Sequence, residues 1–217
     1  KRIGNVMSMS AGVSSWPNVW LGATICNQEE ADRDIPKLLV TPARIRFLSV
    51  EPMLGAINLR SLKHAEHLTL DALTGTWAGE SIPASNFGDA QAALSTIPTL
   101  PNALPGLDWI IAGGESGHHA RPSHPDWFRS LRDQCVATYT PFLFKQWGEH
   151  ALSYDRDRDD PDFTRCDKMN RKPGKWINLA GGHGFHGERV HYAERIGKKM
   201  AGRLLDGVEW SQWPQLF

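Results

Sequence analysis

The chain has 217 residues, 41% of them hydrophobic and 22% charged. That balance suits a folded protein with a real core and excludes a disordered one. Twenty-four basic side chains match twenty-four acidic ones, so no cationic surplus advertises nucleic acid as a partner. No apolar run approaches the roughly 20 residues of a membrane span. No signal peptide is visible, and the expectation is a cytoplasmic protein without membrane association. The chain opens on Lys1 rather than methionine, which reads as a processed or truncated start. Cys26, Cys135 and Cys166 are far apart. They read as buried or free thiols, not as a disulfide framework.

In chain order, "NVWLGATICNQ" predicts a strand ending in Thr24 and Asn27. "NQEEADRDIPKLLV" predicts a helix capped by Asn27, with acidic residues in its first turn. Ile35, Leu38 and Leu39 give it an apolar side, and Pro36 predicts a kink or break. "RIRFLSVEPM" is a second strand, ending in Glu51-Pro52. From Arg60 to Pro105 the periodicity lapses into an irregular insertion, with one or two short helices such as "DAQAALSTI". "LDWIIAGGESG" is a third strand. "SHPDWFRSLRDQCVAT" is a helix with Ser123 as cap, Pro125 in its first turn, and Trp127, Phe128, Leu131 and Cys135 as its buried side. "PFLFKQWGE" is a fourth strand. "SYDRDRDDPDFTRCDKMNRKPGK", dense in both charge signs, reads as a solvated loop. "HYAERIGKKMAGRLLDG" reads as a helix closed by Gly207. Trp16, Trp20, Trp109, Trp127 and Trp147 lie in or beside these elements and read as core.

The strands are nearly continuous apolar runs, as for strands covered on both faces. Strand and helix alternate, which predicts βαβ units. The expected fold is α/β. It is a single domain over 1–217, a partial (β/α) barrel-like parallel sheet of about four strands with flanking helices. Two irregular insertions interrupt it, the larger at about 60–106.

Polar groups at the carboxyl ends of parallel strands share one rim, where ligands bind in such folds. Glu51, Glu115 and Lys145 are the catalytic candidates there. Two carboxylates and a lysine can transfer protons or hold a cation or an amine. Thr24, Asn27, Gly113, Gly114, Ser116, Arg121 and Gln146 are the candidate ligand-binding residues. The glycines let a ligand approach the backbone, and Arg121 suits an anion. The competing reading is a set of structural salt bridges sealing the top of the sheet. His118, His119 and His124 crowd one loop, but H-E-x-x-H is absent, and no metal site is assigned. "GGHGFHG" contains G-x-G-x-x-G without the flanking strand and acid of a dinucleotide site, and reads as a turn. "GKKMAGRLLDG" reads as a solvated basic face rather than a phosphate-binding one.

Five blocks carry a resemblance. They are "PNVWLGATICNQEEADRDIPKLL", "ARIRFLSVEPMLGAI", "LDWIIAGGESGHHARPSHPDWFRSLRDQC", "PFLFKQWGE" and "RIGKKMAGRLLDG". Together they resemble the bacterial and phage gene product 37/68 family, a family of unknown function, over nearly the whole chain outside the two irregular segments. Members usually carry a further amino-terminal three-cysteine motif ending in C-x-x-C-Y. That motif is similar to the iron–sulfur motif of radical S-adenosylmethionine enzymes on a partial (β/α) barrel. Such thiolates hold three irons of a [4Fe–4S] cluster.

The motif is not in this sequence. The resemblance therefore implies S-adenosylmethionine and a cluster only together with a missing amino-terminal segment, this chain being the carboxyl-terminal part. Thr24, Asn27, Glu51, Glu115 and Ser116 would then contact an adenosylated ligand, and Lys145 would orient a charged group. One alternative is a non-catalytic phage or prophage protein that engages nucleic acid or a host or phage protein. Another is a metal-assisted hydrolase built on Glu51, Glu115 and His118 or His124. A half barrel leaves open sheet edges, so the expected partner is a second copy or the missing amino-terminal half.

Overall fold

The computed structural model describes residues 18–65, 68–79, 103–157, 174–181 and 189–215. In chain order these form β1 (Trp20–Thr24), α1 (Gln28–Val40), β2 (Ile45–Val50), β3 (Leu62–Ala65), β4 (Leu68–Asp71) and β5 (Thr76–Gly79). Then come β6 (Trp109–Gly113), α2 (Pro125–Ala137), β7 (Phe142–Gln146), β8 (His150–Asp157), β9 (Gly174–Ile177) and β10 (Arg189–Arg195). Last are α3 (Lys198–Ala201), β11 (Leu204–Leu205) and β12 (Val208–Glu209).

The four apolar runs form one parallel sheet in the order β1-β2-β6-β7. The fold is α/β. Strand side chains alternate between faces, and the register divides them cleanly. Leu48, Val50, Ile110, Ala112, Phe142 and Phe144 lie on one face and are fully buried. Ala31, Ile35, Leu38 and Leu39 of α1 and Trp127, Phe128, Leu131 and Cys135 of α2 complete the same cluster. Both helices thus cover one face. The other face carries Ile45 and Trp109, which are buried, and Gly22, Phe47, Ser49, Ile111, Leu143 and Lys145, which are exposed or half-buried. The expectation of strands covered on both faces therefore holds only at Ile45 and Trp109 on this side, among the described residues. On the outer edge of β7 the chain end runs antiparallel: Phe144 N donates to Trp210 O at 3.0 Å and Gln212 N to Phe142 O at 3.1 Å.

Both helix starts follow capping chemistry. Asn27 Oδ1 accepts from Glu30 N at 2.9 Å. Pro36 does not end α1, which runs on to Val40. The cap of α2 is His124, not Ser123: its Nδ1 accepts from Asp126 N at 3.2 Å. The Ser123 hydroxyl instead donates to Met53 O at 2.7 Å.

Three sequence expectations need correction. The segment after β2 begins with an antiparallel sheet, β3-β4-β5, whose Leu62 and Leu70 reach the core. "DAQAALSTI" lies outside the described residues. The charged segment from Ser153 is not all loop, since its ends belong to β8 and β9, which pair with β10 as β8-β10-β9. The expected carboxyl-terminal helix is mostly absent. His191–Arg195 is strand, α3 has four residues, and Gly207 turns the β11–β12 hairpin. Among the described residues no helix is long and apolar enough to cross a membrane.

Gly114 tests how β6 and β7 are held together. Its N–H donates to Gln146 O at 2.9 Å, and a Cβ there would stand 2.0 Å from Trp147 O. Gly114→Ala is expected to destabilise the fold by about 2 kcal/mol or more. Urea unfolding measures it, and an unchanged midpoint would show that the two segments are not in such contact.

Candidate functional site

Glu51 follows β2 and Lys145 belongs to β7, with β6 between them. Their side chains nevertheless meet, Lys145 Nζ lying 2.7 Å from Glu51 Oε2. Gly113 of β6 leaves room for this: a Cβ there would make a tight contact, 3.3 Å from Glu51 Oε1. A register shift pairs Ala112 with Phe144 and Gly113 with Gln146. The extra residue lets consecutive side chains of β7 reach the same carboxylate. Gln146 Nε2 donates to Glu51 Oε1 at 2.9 Å and to Ser116 Oγ at 3.1 Å. Glu51 is the anchored partner, with its side chain 19% exposed against 52% for Lys145.

Glu115 makes a separate pair. Its Oε2 accepts from Arg121 N at 2.7 Å and from Arg121 Nε at 2.8 Å, and its Oε1 accepts from Arg121 NH2 at 2.8 Å. The Arg121 hydrogen bonds hold the Glu115 carboxyl below its ordinary range. The expected clamp for an external anion is thus engaged internally. Cys26, at the end of β1, feels both members of this pair. Burial and then Glu30 push its thiol up. His150, at the start of β8, also feels Glu115. Burial first, then Arg195 and Lys175, depress its imidazole.

Below the Glu51–Lys145 pair, on the face without helices, lies a groove of about 410 Å³. Phe47, Ser49, Ile111 and Leu143 form its floor, while Arg203, Ser211 and Trp213 form a wall. Its size is that of a small-molecule site. A larger groove of about 910 Å³ at the opposite strand ends, lined by Asp108, Tyr139 and Pro214 among others, includes none of the rim residues.

The predicted residues therefore divide into groups. Glu51, Lys145, Gln146, Ser116 and Gly113 come together. Glu115 and Arg121 form their own pair, and Gly114 holds the backbone. Thr24 is exposed at the end of β1, opposite Ser49 in register. Asn27 serves as a helix cap. His118 and His119 are exposed against each other, ring centroids 4.5 Å apart. His124 is buried at the start of α2, and among the described residues neither it nor His118 groups with Glu51 and Glu115 closely enough to share a metal ion. Gly181 of "GGHGFHG" is described and the rest of that motif lies outside the described residues. Sequence reasoning missed Arg203 and Trp213, whose position depends on the chain end folding back. It also missed His150, although His150 follows directly on the fourth strand motif.

A family model described as "Protein of unknown function (DUF5131)" matches residues 1–214, and the chain belongs to that family. No curated protein and no solved structure matches it.

The Glu115–Arg121 pair has a defined pH signature. A carboxylate with a depressed folded pKa stabilises fully above its unfolded value of about 4.3, and that contribution is lost as pH falls through the folded pKa. Arg121→Gln should raise the Glu115 pKa toward its ordinary value, as read from carboxyl NMR shifts during acid titration. An unmoved Glu115 titration would mean that Arg121 is not the cause.

Proposed function

We propose that the chain is part of a (β/α) barrel-type enzyme and that the groove beneath Glu51 and Lys145 binds a small ligand with an apolar body and a cationic group. The observation that carries this is the crossing of Glu51 over Gly113. It sets an anchored carboxylate and an exposed lysine at the mouth of a groove with an apolar floor. Glu51 would accept the ligand's cation in place of the Lys145 ammonium. Lys145, released, would turn to a carboxylate or phosphate on the same ligand. Ser116 and Gln146 hold Glu51 in position throughout.

S-Adenosylmethionine has this form, a flat base at one end and a sulfonium with an amino-acid group at the other. The resemblance to the phage gene product 37/68 family points the same way. An iron–sulfur cluster does not fit the described residues. Cys26 lies on the rim, while Cys135 is packed inside α2, its thiol pushed up to about 12 by burial. The half-buried face of Phe47, Ile111 and Leu143 supports the further proposal that a second copy or an amino-terminal segment completes the barrel.

Calorimetric titration of the full chain with S-adenosylmethionine and with S-adenosylhomocysteine, which lacks the positive sulfur, tests the reading. The cationic ligand is expected to bind more tightly, and Glu51→Gln to weaken it about tenfold, roughly 1.4 kcal/mol. A folded wild-type chain that binds neither ligand would overturn S-adenosylmethionine as the ligand. Equal binding of both would overturn the role given to Glu51.

A further inference from the structure

We propose that His124, Asp126 and His191 form a site for a divalent first-row transition cation, which fastens the antiparallel sheet to the start of α2. The ligand atoms of these three residues all lie within 4.8 Å of one another. His124 and His191 are both fully buried. Their rings stand nearly perpendicular, at 86°, with centroids 4.4 Å apart. Asp126 Oδ2 is 3.9 Å from His124 Nδ1 and 3.9 Å from His191 Nε2. Bonds of about 2.0–2.2 Å from a cation to imidazole nitrogen and carboxylate oxygen, in tetrahedral geometry, place ligand atoms about 3.4 Å apart. The two 3.9 Å pairs therefore close by about 0.5 Å and the widest pair by up to about 1.4 Å on binding.

The second carboxylate oxygen is already occupied. Arg129 NH1 is 2.7 Å from Asp126 Oδ1, and Arg129 NH2 is 2.8 Å from Asp206. This chain of contacts turns Oδ2 toward the two rings. Outer groups of this kind orient the carboxylates of metal sites. Two imidazoles and one carboxylate suit zinc, cobalt or iron(II), whereas magnesium and calcium prefer oxygen ligands.

The three residues come from separate parts of the chain. His124 and Asp126 open α2, which covers the parallel sheet, while His191 belongs to β10, the central strand of the antiparallel sheet. Trp127 lies beside the site, its ring 5.9 Å from His124 and its Nε1 donating to Leu179 O at 2.9 Å. Binding through His124 Nδ1 would displace its 3.2 Å capping contact with Asp126 N. The positive end of a helix opposes a cation, and the Asp126 carboxylate offsets that at the same position. The site stands apart from the Glu51–Lys145 groove and does not rest on the function proposed for it.

The test is titration of the full chain, freed of metal, with Co(II), followed by visible absorption and by thermal unfolding. One equivalent is expected to bind and to raise the unfolding midpoint. Asp126→Asn and His191→Gln should each weaken binding by more than about a hundredfold, beyond the loss typical of an outer-group change. Replacing His118 and His119 together with alanine should leave binding unchanged. X-ray absorption of the wild-type Co(II) complex gives a readout that does not require the variants to fold. A shell with two imidazoles and carboxylate oxygen is expected, and one without two imidazoles overturns the site. So does a wild type that takes up no Co(II), or binding that survives both ligand substitutions or vanishes with His118 and His119.

Discussion

The absence of a side chain at Gly113 gives the rim's charged pair its room. Neighbouring strands in a sheet lie about 4.8 Å apart, so Glu51 and Lys145, two strands apart, must reach across β6 to meet. Any larger residue at 113 would put its Cβ against the Glu51 carboxylate. The bulge in β7 adds the second requirement, since it brings Lys145 and Gln146 to the same partner. Gly114 continues the arrangement by letting Trp147 O pass close by. Two adjacent glycines thus have different duties, one clearing room for a side-chain pair and the other for a backbone crossing.

The sheet beneath this rim is asymmetric. Its helix-covered face is closed, with Leu48, Ile110 and Phe142 fully buried. Its opposite face mixes Phe47, Ile111 and Leu143 with Ser49 and Lys145, and receives Trp213 and Ser211 from the chain end along one side. A parallel sheet normally has cover on both faces. Here that face is apolar along the strands and charged at their carboxyl ends. The groove and the charged pair therefore belong to one surface, and whatever occupies the groove meets Glu51 and Lys145 together.

The four parallel strands and both long helices were legible because their signals are local. Continuous apolar runs mark the strands, and an Asn cap followed by acids marks α1. Glu51, Lys145 and Gln146 were legible as a group because strand ends converge in this class of fold. Their pairing was not. Nothing in "KQWGE" announces a bulge, and Glu115 was as plausible a partner for Lys145 as Glu51. The sheet β3-β4-β5 was obscured by its short strands, although the alternating leucines of "LTLDAL" and the turn at Thr74-Gly75 carried a signal. The carboxyl-terminal region misled for a physical reason. "HYAERIGKKMAGRLL" has helix-forming residues, but pairing with β8 and β9 overrides propensity.

That override also decides the chemistry of His191. On a free amphipathic helix the residue would sit in solvent with Glu194 and Arg195. As part of the central strand β10 it is driven inward, against His124 and within reach of Asp126. His124 is buried for an unrelated reason, as the cap that starts α2 below the β6 rim. Each histidine is thus placed by its own element, and the carboxylate between them is fixed from outside by Arg129 and Asp206. Two buried imidazoles meeting a partly exposed carboxylate are costlier to place than apolar residues of the same size. At the rim, polar groups face a groove that a ligand can enter. Here they face each other between the start of α2 and β10, and the donor set is the one that suits a small cation.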